Sequence, residues 1–192
     1  MSQSYNPYAP PQSADEVQYQ QSPEAQAGQY YTASPLKVVL LSLASFGIYD
    51  MYWLYKQWKA VREQTRADLS PFWRAMFDIF FVGRLFEHIR HDTTGAGVPA
   101  GMTTGALAGL YILASIIGRI AGRVDIGPIW LLGFAVAIPL ALLQKEINQY
   151  VERTSPGADR NTRFNAGNIV VLIVGGLMWL LVLAGTFLPE QK

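Results

Sequence analysis

The stretch Ser45-Phe46-Gly47-Ile48-Tyr49-Asp50-Met51-Tyr52-Trp53-Leu54-Tyr55-Lys56 closes the first hydrophobic segment of the chain. Tyrosine and tryptophan side chains settle where hydrocarbon meets water, because the ring is apolar and the O–H or N–H group binds headgroups or water. The sequence therefore predicts an aromatic anchor at a membrane surface. We assign to this interfacial anchor Tyr49, Tyr52, Trp53, Tyr55, Lys56, Trp58 and Trp73.

The composition favours a membrane protein. The chain of 192 residues is 51% hydrophobic and 15% charged, whereas ordinary soluble domains carry about 25% charged residues. So little charge does not cover a water-facing surface of this size. A net charge of +1 excludes the basic surface that a nucleic-acid partner requires. The absence of cysteine excludes disulfides and thiolate metal sites.

Four segments have the length and apolarity of membrane spans, residues 38–55, 98–118, 126–143 and 169–188. At about 1.5 Å per helical residue, each crosses or nearly crosses a hydrocarbon core of about 30 Å. Pro139 lies inside the third segment and should kink it. The sequence therefore predicts an all-α, polytopic transmembrane bundle of four spans within residues 35–189.

Residues 71–91 form a different kind of helix. Ser70 and Pro71 are typical of a helix start, and apolar residues then recur at intervals of three and four. Arg74, Asp78, Arg84 and Glu87 follow in the same segment, and each charge would cost about 2.5 to 3.5 kcal/mol at the bilayer centre. We therefore expect an amphipathic interfacial helix. If the segment crossed instead, these charges would be intramembrane.

Residues 1–34 are rich in Gln, Ser, Pro and Tyr and contain no Lys or Arg. Such a segment buries too little apolar surface to offset the loss of chain entropy on folding. We predict a disordered tail that lacks the features of a cleaved secretory leader.

Glycines recur every fourth residue in the second span. Gly101, Gly105 and Gly109 have this spacing, and Gly118 and Gly122 repeat it. Small residues at this interval let a second helix backbone approach closely. The pattern predicts a helix-packing face, with a second copy of the chain or another membrane protein as candidate partner besides the lipid bilayer.

Lys and Arg are distributed unevenly between the two sides of a four-span topology. Residues 56–97 and 144–168 carry eleven of the fifteen basic residues. Because cytoplasmic loops carry an excess of Lys and Arg, these two loops are predicted to be cytoplasmic and both chain ends external.

Asp50 is the acid within the first span. An ionisable residue inside a membrane is a functional hypothesis by default, here a contact for a proton or cation. The alternative is structural, since Asp50 lies five residues from the end of the span and can reach interfacial water or Lys56.

No catalytic residue, metal site or cofactor site is predicted. His88 and His91 share a helix face with flanking carboxylates, but a zinc site would need a third fixed ligand. Nucleophile, phosphate-loop and dinucleotide motifs are missing from the sequence. An enzyme is therefore not expected.

Three motifs resemble a group of small bacterial integral membrane proteins that is defined as a domain of unknown function with an "FGIYxxYWxYK" signature. They are Phe46-Gly47-Ile48-Tyr49 with Tyr52-Trp53-Leu54-Tyr55-Lys56, then Ser70-Pro71-Phe72-Trp73-Arg74, and later Phe164-Asn165-Ala166-Gly167-Asn168. The resemblance covers about residues 36–188. It implies a multi-pass protein of the bacterial inner membrane and supplies no activity.

Two functions follow as hypotheses. The first is a non-catalytic structural or interaction component of the inner membrane. The second is a small oligomeric channel or transporter, in which Gly101, Gly105 and Gly109 form the subunit contact and Asp50 lines the path.

Overall fold

The computed structural model describes residues 29–121, 123–124 and 127–187, and all regular structure in these ranges is helical. The elements are α1 (Pro35–Ala44), α2 (Ile48–Thr65), α3 (Pro71–Met76), α4 (Asp78–Gly95), α5 (Thr104–Ala121), a 3₁₀ helix (Gly127–Val136), α6 (Ala137–Thr154) and α7 (Ala166–Phe187).

Three helices are long and apolar enough to cross a membrane, and they indicate a membrane protein. They cover Thr104–Ala121, Ile129–Thr154 and Ala166–Gly185. These correspond to the predicted spans at 98–118, 126–143 and 169–188, with shifted boundaries. Helix α1 is apolar but has ten residues, about 15 Å of helix, which is half of a hydrocarbon core.

The prediction of one continuous helix over residues 38–55 is wrong. The chain leaves the helical conformation at residues 45–47, where Phe46 and Gly47 have φ values of 53° and 88°. Glycine adopts this left-handed conformation without steric cost. The Ser45 hydroxyl then accepts a hydrogen bond of 2.8 Å from the Tyr49 N–H and starts a new helix, α2.

After this turn the chain runs back toward its starting point. The Ser42 hydroxyl donates a hydrogen bond to Asp50 across the turn. Further along, the Tyr31 N–H donates to Gln57 Oε1 at 3.1 Å, and Gln57 Nε2 donates to the Tyr31 carbonyl at 3.0 Å. The two flanks of the predicted first span therefore touch each other. We call residues 35–65 the helical hairpin.

The predicted helix at residues 71–91 is divided in two at Phe77, whose φ and ψ are −100° and 45°. The Arg74 guanidinium stacks over the Trp58 ring at 4.5 Å, and Asp92 near the end of α4 accepts a hydrogen bond from Tyr30. The α3–α4 pair therefore begins and ends beside the open end of the helical hairpin. Its apolar side packs on the bundle through Ala75, Val82, Leu85, Phe86 and Ile89, all buried.

The third predicted span is only partly α-helical. Ten residues form the 3₁₀ helix before α6 begins. Pro139 lacks the N–H that would continue an α-helical ladder through this region. A 3₁₀ helix rises about 2.0 Å per residue, so these ten residues cover about 20 Å.

Residues 29–34, predicted as the end of the disordered tail, are instead part of the packed structure. Tyr30 is 2% exposed and Ala33 is fully buried. They are ordered because side-chain amides of α2 and α6 bond their backbone. Residues 1–28 of the predicted tail lie outside the described residues.

The bundle has two distinct ends. At one end, which we call the loop end, Thr32 bonds the Asp159 carbonyl at 2.9 Å and Arg153 bonds the Ala96 carbonyl at 2.9 Å. At the other end, the Arg123 end, α5 finishes. Helix α5, the 3₁₀ helix with α6, and α7 run between the two ends, and α5 packs along the 3₁₀ helix.

Candidate functional site

Asp50 lies inside the protein in the first turn of α2, just after the tip of the helical hairpin. Asp50 is 5% exposed, and its Oδ1 accepts the hydrogen bond from Ser42. An acid in the first turn is stabilised by the partial positive charge of the helix N-terminus. Lys56 contacts the Tyr31 ring instead, at 5.7 Å.

A second carboxylate, Asp78, occupies the first position of α4. Its Oδ2 accepts a hydrogen bond of 2.6 Å from the Tyr111 hydroxyl, and its Oδ1 lies 2.8 Å from Arg119 Nη2. Tyr111 and Arg119 are eight residues apart on α5, about 12 Å along the helix axis. Asp78 therefore lies beside the C-terminal half of a candidate membrane-spanning helix.

The two carboxylates line one cavity of about 300 Å³. Its polar lining is Asp50, Asp78, Tyr111, Ser115 and Arg119. A second cavity of about 300 Å³ adjoins it and shares Asp50, Ser115 and Arg119. We call the two together the carboxylate cavity. With both acids ionised and Arg119 charged, its lining has a net charge of −1.

Aromatic rings form the wall of the carboxylate cavity toward α7. Phe46, Trp130 and Phe134 line it. Trp179 of α7 stacks on Phe46 with ring centres 5.1 Å apart and on Trp130 at 5.9 Å, with the planes inclined by 17° and 16°. The Trp179 indole N–H donates to the Leu43 carbonyl at 3.0 Å. The tip of the helical hairpin is thus held between rings of α7 and the 3₁₀ helix.

The predicted interfacial anchor is divided between the core and the surface. Tyr52, Tyr55 and Trp73 are exposed large side chains, whereas Trp53 and Trp58 are buried in the protein. The anchor prediction is wrong for those two tryptophans, and Tyr49 is also buried. Lys56 is partly exposed.

Trp53 is buried because a polar partner is buried with it. Its indole N–H donates to Gln144 Oε1 at 2.6 Å, and both residues are fully buried. Gln144 Nε2 in turn donates to the Tyr31 carbonyl at 3.2 Å and to Asn148 Oδ1 at 2.8 Å. This network satisfies polar groups that would otherwise be costly inside the bundle.

Residues 29–34 are bound in a groove of side-chain amides at the loop end. Asn148 Nδ2 donates to the Ala33 carbonyl at 2.8 Å, and Asn161 Nδ2 donates to the Tyr31 hydroxyl at 2.9 Å. The Tyr30 hydroxyl donates to Asp92 Oδ2 at 2.7 Å. Burial first, and then this hydrogen bond, raise the pKa of Tyr30 above its ordinary value. Tyr30 therefore remains a neutral donor well into the alkaline range.

An ion pair fixes the loop between α4 and α5. Arg90 Nε lies 3.1 Å from Glu146 Oε2, and both side chains are less than a tenth exposed. Arg90 Nη1 donates to the Met102 carbonyl at 2.7 Å, and the Gly101 N–H donates to Glu146 Oε1 at 3.2 Å. Residues 98–103 therefore form a bound loop where the sequence predicts the start of a span.

The five glycines of the predicted packing face have different surroundings. A Cβ atom on Gly118 would lie 2.8 Å from Gly133 Cα, so α5 and the 3₁₀ helix approach closely there. A Cβ on Gly101 would lie 3.9 Å from Glu146, and Gly105 and Gly109 face open space. Gly122 lies outside the described residues.

Asp50 is the residue of this site that the sequence indicates, whereas Asp78, Tyr111, Ser115 and Arg119 are brought to it by the fold. One signal was present, because Asp78 is a single acid between Phe77 and Ile79. Among the described residues, no group of three His, Cys, Asp or Glu side chains is arranged to hold a metal ion. Comparison with protein-family models, curated proteins and solved structures found no match.

Proposed function

We propose that this chain is an inner-membrane channel or transporter that takes a cation or proton into the carboxylate cavity. The observation that carries the proposal is that Asp50 and Asp78 line one cavity of about 300 Å³ beside a spanning helix. Buried intramembrane acids are costly and are characteristic of ion paths and proton relays. Non-helical backbone at membrane depth, such as residues 45–47, is tolerated where it is buried in protein or lines a cavity.

In this proposal the chain has three membrane-spanning helices instead of four, and the helical hairpin enters and leaves the membrane from the loop end. Tyr31 and Gln57 touch, so the segment between them has both flanks on one side. Arg119 and Arg123 lie at the Arg123 end, whereas Lys37, Arg90 and Arg153 bond backbone carbonyls at the loop end. By the positive-inside bias the loop end is cytoplasmic. The resemblance to bacterial membrane proteins supports the inner membrane as the location.

The second candidate is a non-catalytic structural or interaction component of the inner membrane. The observation in its favour is the surface of α7, where Leu177, Leu180 and Leu181 are all more than half exposed. Lipid or a partner helix would cover this surface. Under this reading Asp50 has a structural role, as an acid in the first turn of α2 bonded by Ser42.

Asp50→Asn separates the two candidates. In proteoliposomes, the wild-type chain should carry a proton or monovalent cation current, and Asp50→Asn should abolish it because the amide carries no charge and does not exchange a proton. The measurement is the dissipation of an imposed pH gradient or of a potassium gradient, read with fluorescent dyes inside the vesicles.

Asp68→Asn is the matched control, since Asp68 is exposed in the link between α2 and α3. It should leave the current unchanged. Equal currents in wild type and Asp50→Asn, with both proteins monodisperse, would reject transport through Asp50 and leave the structural role.

A further inference from the structure

We infer that the ligand of the carboxylate cavity is an apolar organic cation, such as a quaternary ammonium ion, rather than a bare metal ion. The inference rests on the proposed function, since it names the class of cation that the same cavity takes. It is carried by the juxtaposition of Asp50 with the rings of Phe46, Trp130 and Phe134 along one cavity wall.

The aromatic wall suits a cation that has no hydrogen-bond donors. The face of an aromatic ring carries a partial negative charge, and quaternary ammonium groups are bound by such faces, best by tryptophan. Trp130 is held in place from behind by Trp179, which also stacks on Phe46. A metal ion would need several oxygen ligands in close array, and the described residues contain no group of three His, Cys, Asp or Glu side chains placed to hold one.

Of the two carboxylates that line the cavity, Asp78 is paired with a basic residue, which leaves Asp50 to bind the ligand. Asp78 is neutralised by Arg119, which is 2.8 Å away, and is bonded by Tyr111 as well. Among the described residues, no Lys, Arg or His forms an ion pair with Asp50. Its carboxylate receives a hydrogen bond from the neutral Ser42. A monovalent cation beside Asp50 would therefore balance the lining of the cavity.

The size of the cavity agrees with this ligand class. Each of the two adjoining cavities has a volume of about 300 Å³, which is at the lower limit of pockets that hold small organic molecules. The ring-lined cavity also includes Ala114, whose small side chain leaves room for an alkyl group.

The experiment measures binding of tetraethylammonium to the full chain in lipid nanodiscs by equilibrium dialysis. Wild type should bind this probe in competition with other quaternary ammonium ions and not with sodium. Trp130→Leu keeps an apolar side chain but removes the aromatic face, and it should weaken binding about 10-fold. Asp50→Asn should weaken binding at least as much.

Trp73→Leu is the matched control, because Trp73 is 57% exposed and lies outside the cavity; it should bind like wild type. If Trp130→Leu does not yield monodisperse protein, Phe134→Leu serves as the second variant. Undetectable binding of the probe, or binding unchanged in Trp130→Leu, would overturn this inference. The proposed function would survive that result if Asp50→Asn still abolishes proton or cation flux, and it would fall if flux is unchanged.

Discussion

At the scale of single residues, several polar side chains of this protein pair with partners that lie far apart in sequence. Trp53 and Gln144 are 91 residues apart and form a hydrogen bond of 2.6 Å. Asp78 and Arg119 are 41 residues apart. Each pair joins an element near the helical hairpin to a spanning helix, so a polar residue in an apolar segment here indicates a tertiary contact.

Gln144→Leu should lower the stability of the protein by about 1 to 3 kcal/mol, because it leaves the buried Trp53 N–H without a partner and removes one of the two hydrogen bonds to the Tyr31 carbonyl. Thermal unfolding in detergent, followed by circular dichroism, measures the change. Gln149→Leu makes the same chemical change five residues further along α6, where Gln149 is only partly buried, and should unfold close to wild type. Equal midpoints for the two variants would contradict the role assigned to Gln144.

The candidate site could be predicted from the sequence only in part. Asp50 stands out because it is an acid in an apolar segment. Asp78 and Arg119 occur in segments whose charges are equally consistent with an interfacial helix and a span end. Their pairing depends on where α4 begins, and the break at Phe77 that sets this position has no glycine or proline to announce it.

At the scale of elements, the long uncharged runs of the sequence predicted helices correctly, whereas the sequence did not indicate the helix breaks at residues 45–47 and at Phe77. Residues 98–118 and 169–188 predicted spans because hydropathy and length alone decide them, and helices were found there at Thr104–Ala121 and Ala166–Gly185. The turn at residues 45–47 was missed because Phe46, a residue without left-handed preference, has positive φ. Tertiary contacts of its ring with Trp179 and Phe134 hold it there.

The packing of α7 on the tip of α1 depends on one glycine. A Cβ atom on Gly175 would collide with the Ala44 carbonyl oxygen, whereas a Cβ on the neighbouring Gly176 meets no atom within 4 Å. Gly175→Ala should therefore displace α7 and destabilise the protein by about 1 to 3 kcal/mol, as overpacking does.

Gly176→Ala adds the same methyl group one position along and serves as the control. Its unfolding midpoint in detergent should equal or exceed that of wild type, since alanine favours a helix more than glycine does. The Gly175→Ala variant should also show altered tryptophan emission, because Trp179 would leave its stack on Phe46. A Gly175→Ala protein as stable as Gly176→Ala would show that α7 does not pack on α1 in this way.

At the scale of the whole molecule, the number of spans decides on which side of the membrane each segment lies. Four spans put residue 29 and residue 67 on opposite sides, whereas a helical hairpin that returns to the loop end puts them on the same side. The hydrogen bonds between Tyr31 and Gln57 favour the second arrangement. That arrangement also places Lys37 on the same side as the loop between α6 and α7, whose carbonyls it bonds, as the positive-inside bias favours.

The chain contains no cysteine, so Gln29→Cys, Ala67→Cys and Val124→Cys each introduce a single thiol. A membrane-impermeant maleimide should label Gln29→Cys and Ala67→Cys in inverted vesicles and Val124→Cys in right-side-out vesicles. Detergent-solubilised protein gives the full labelling of each thiol as the control. Labelling of Gln29→Cys and Ala67→Cys from opposite sides would restore a four-span topology. Asp50 would then lie on a crossing helix, and the carboxylate cavity would no longer be formed by a hairpin that enters from the cytoplasm.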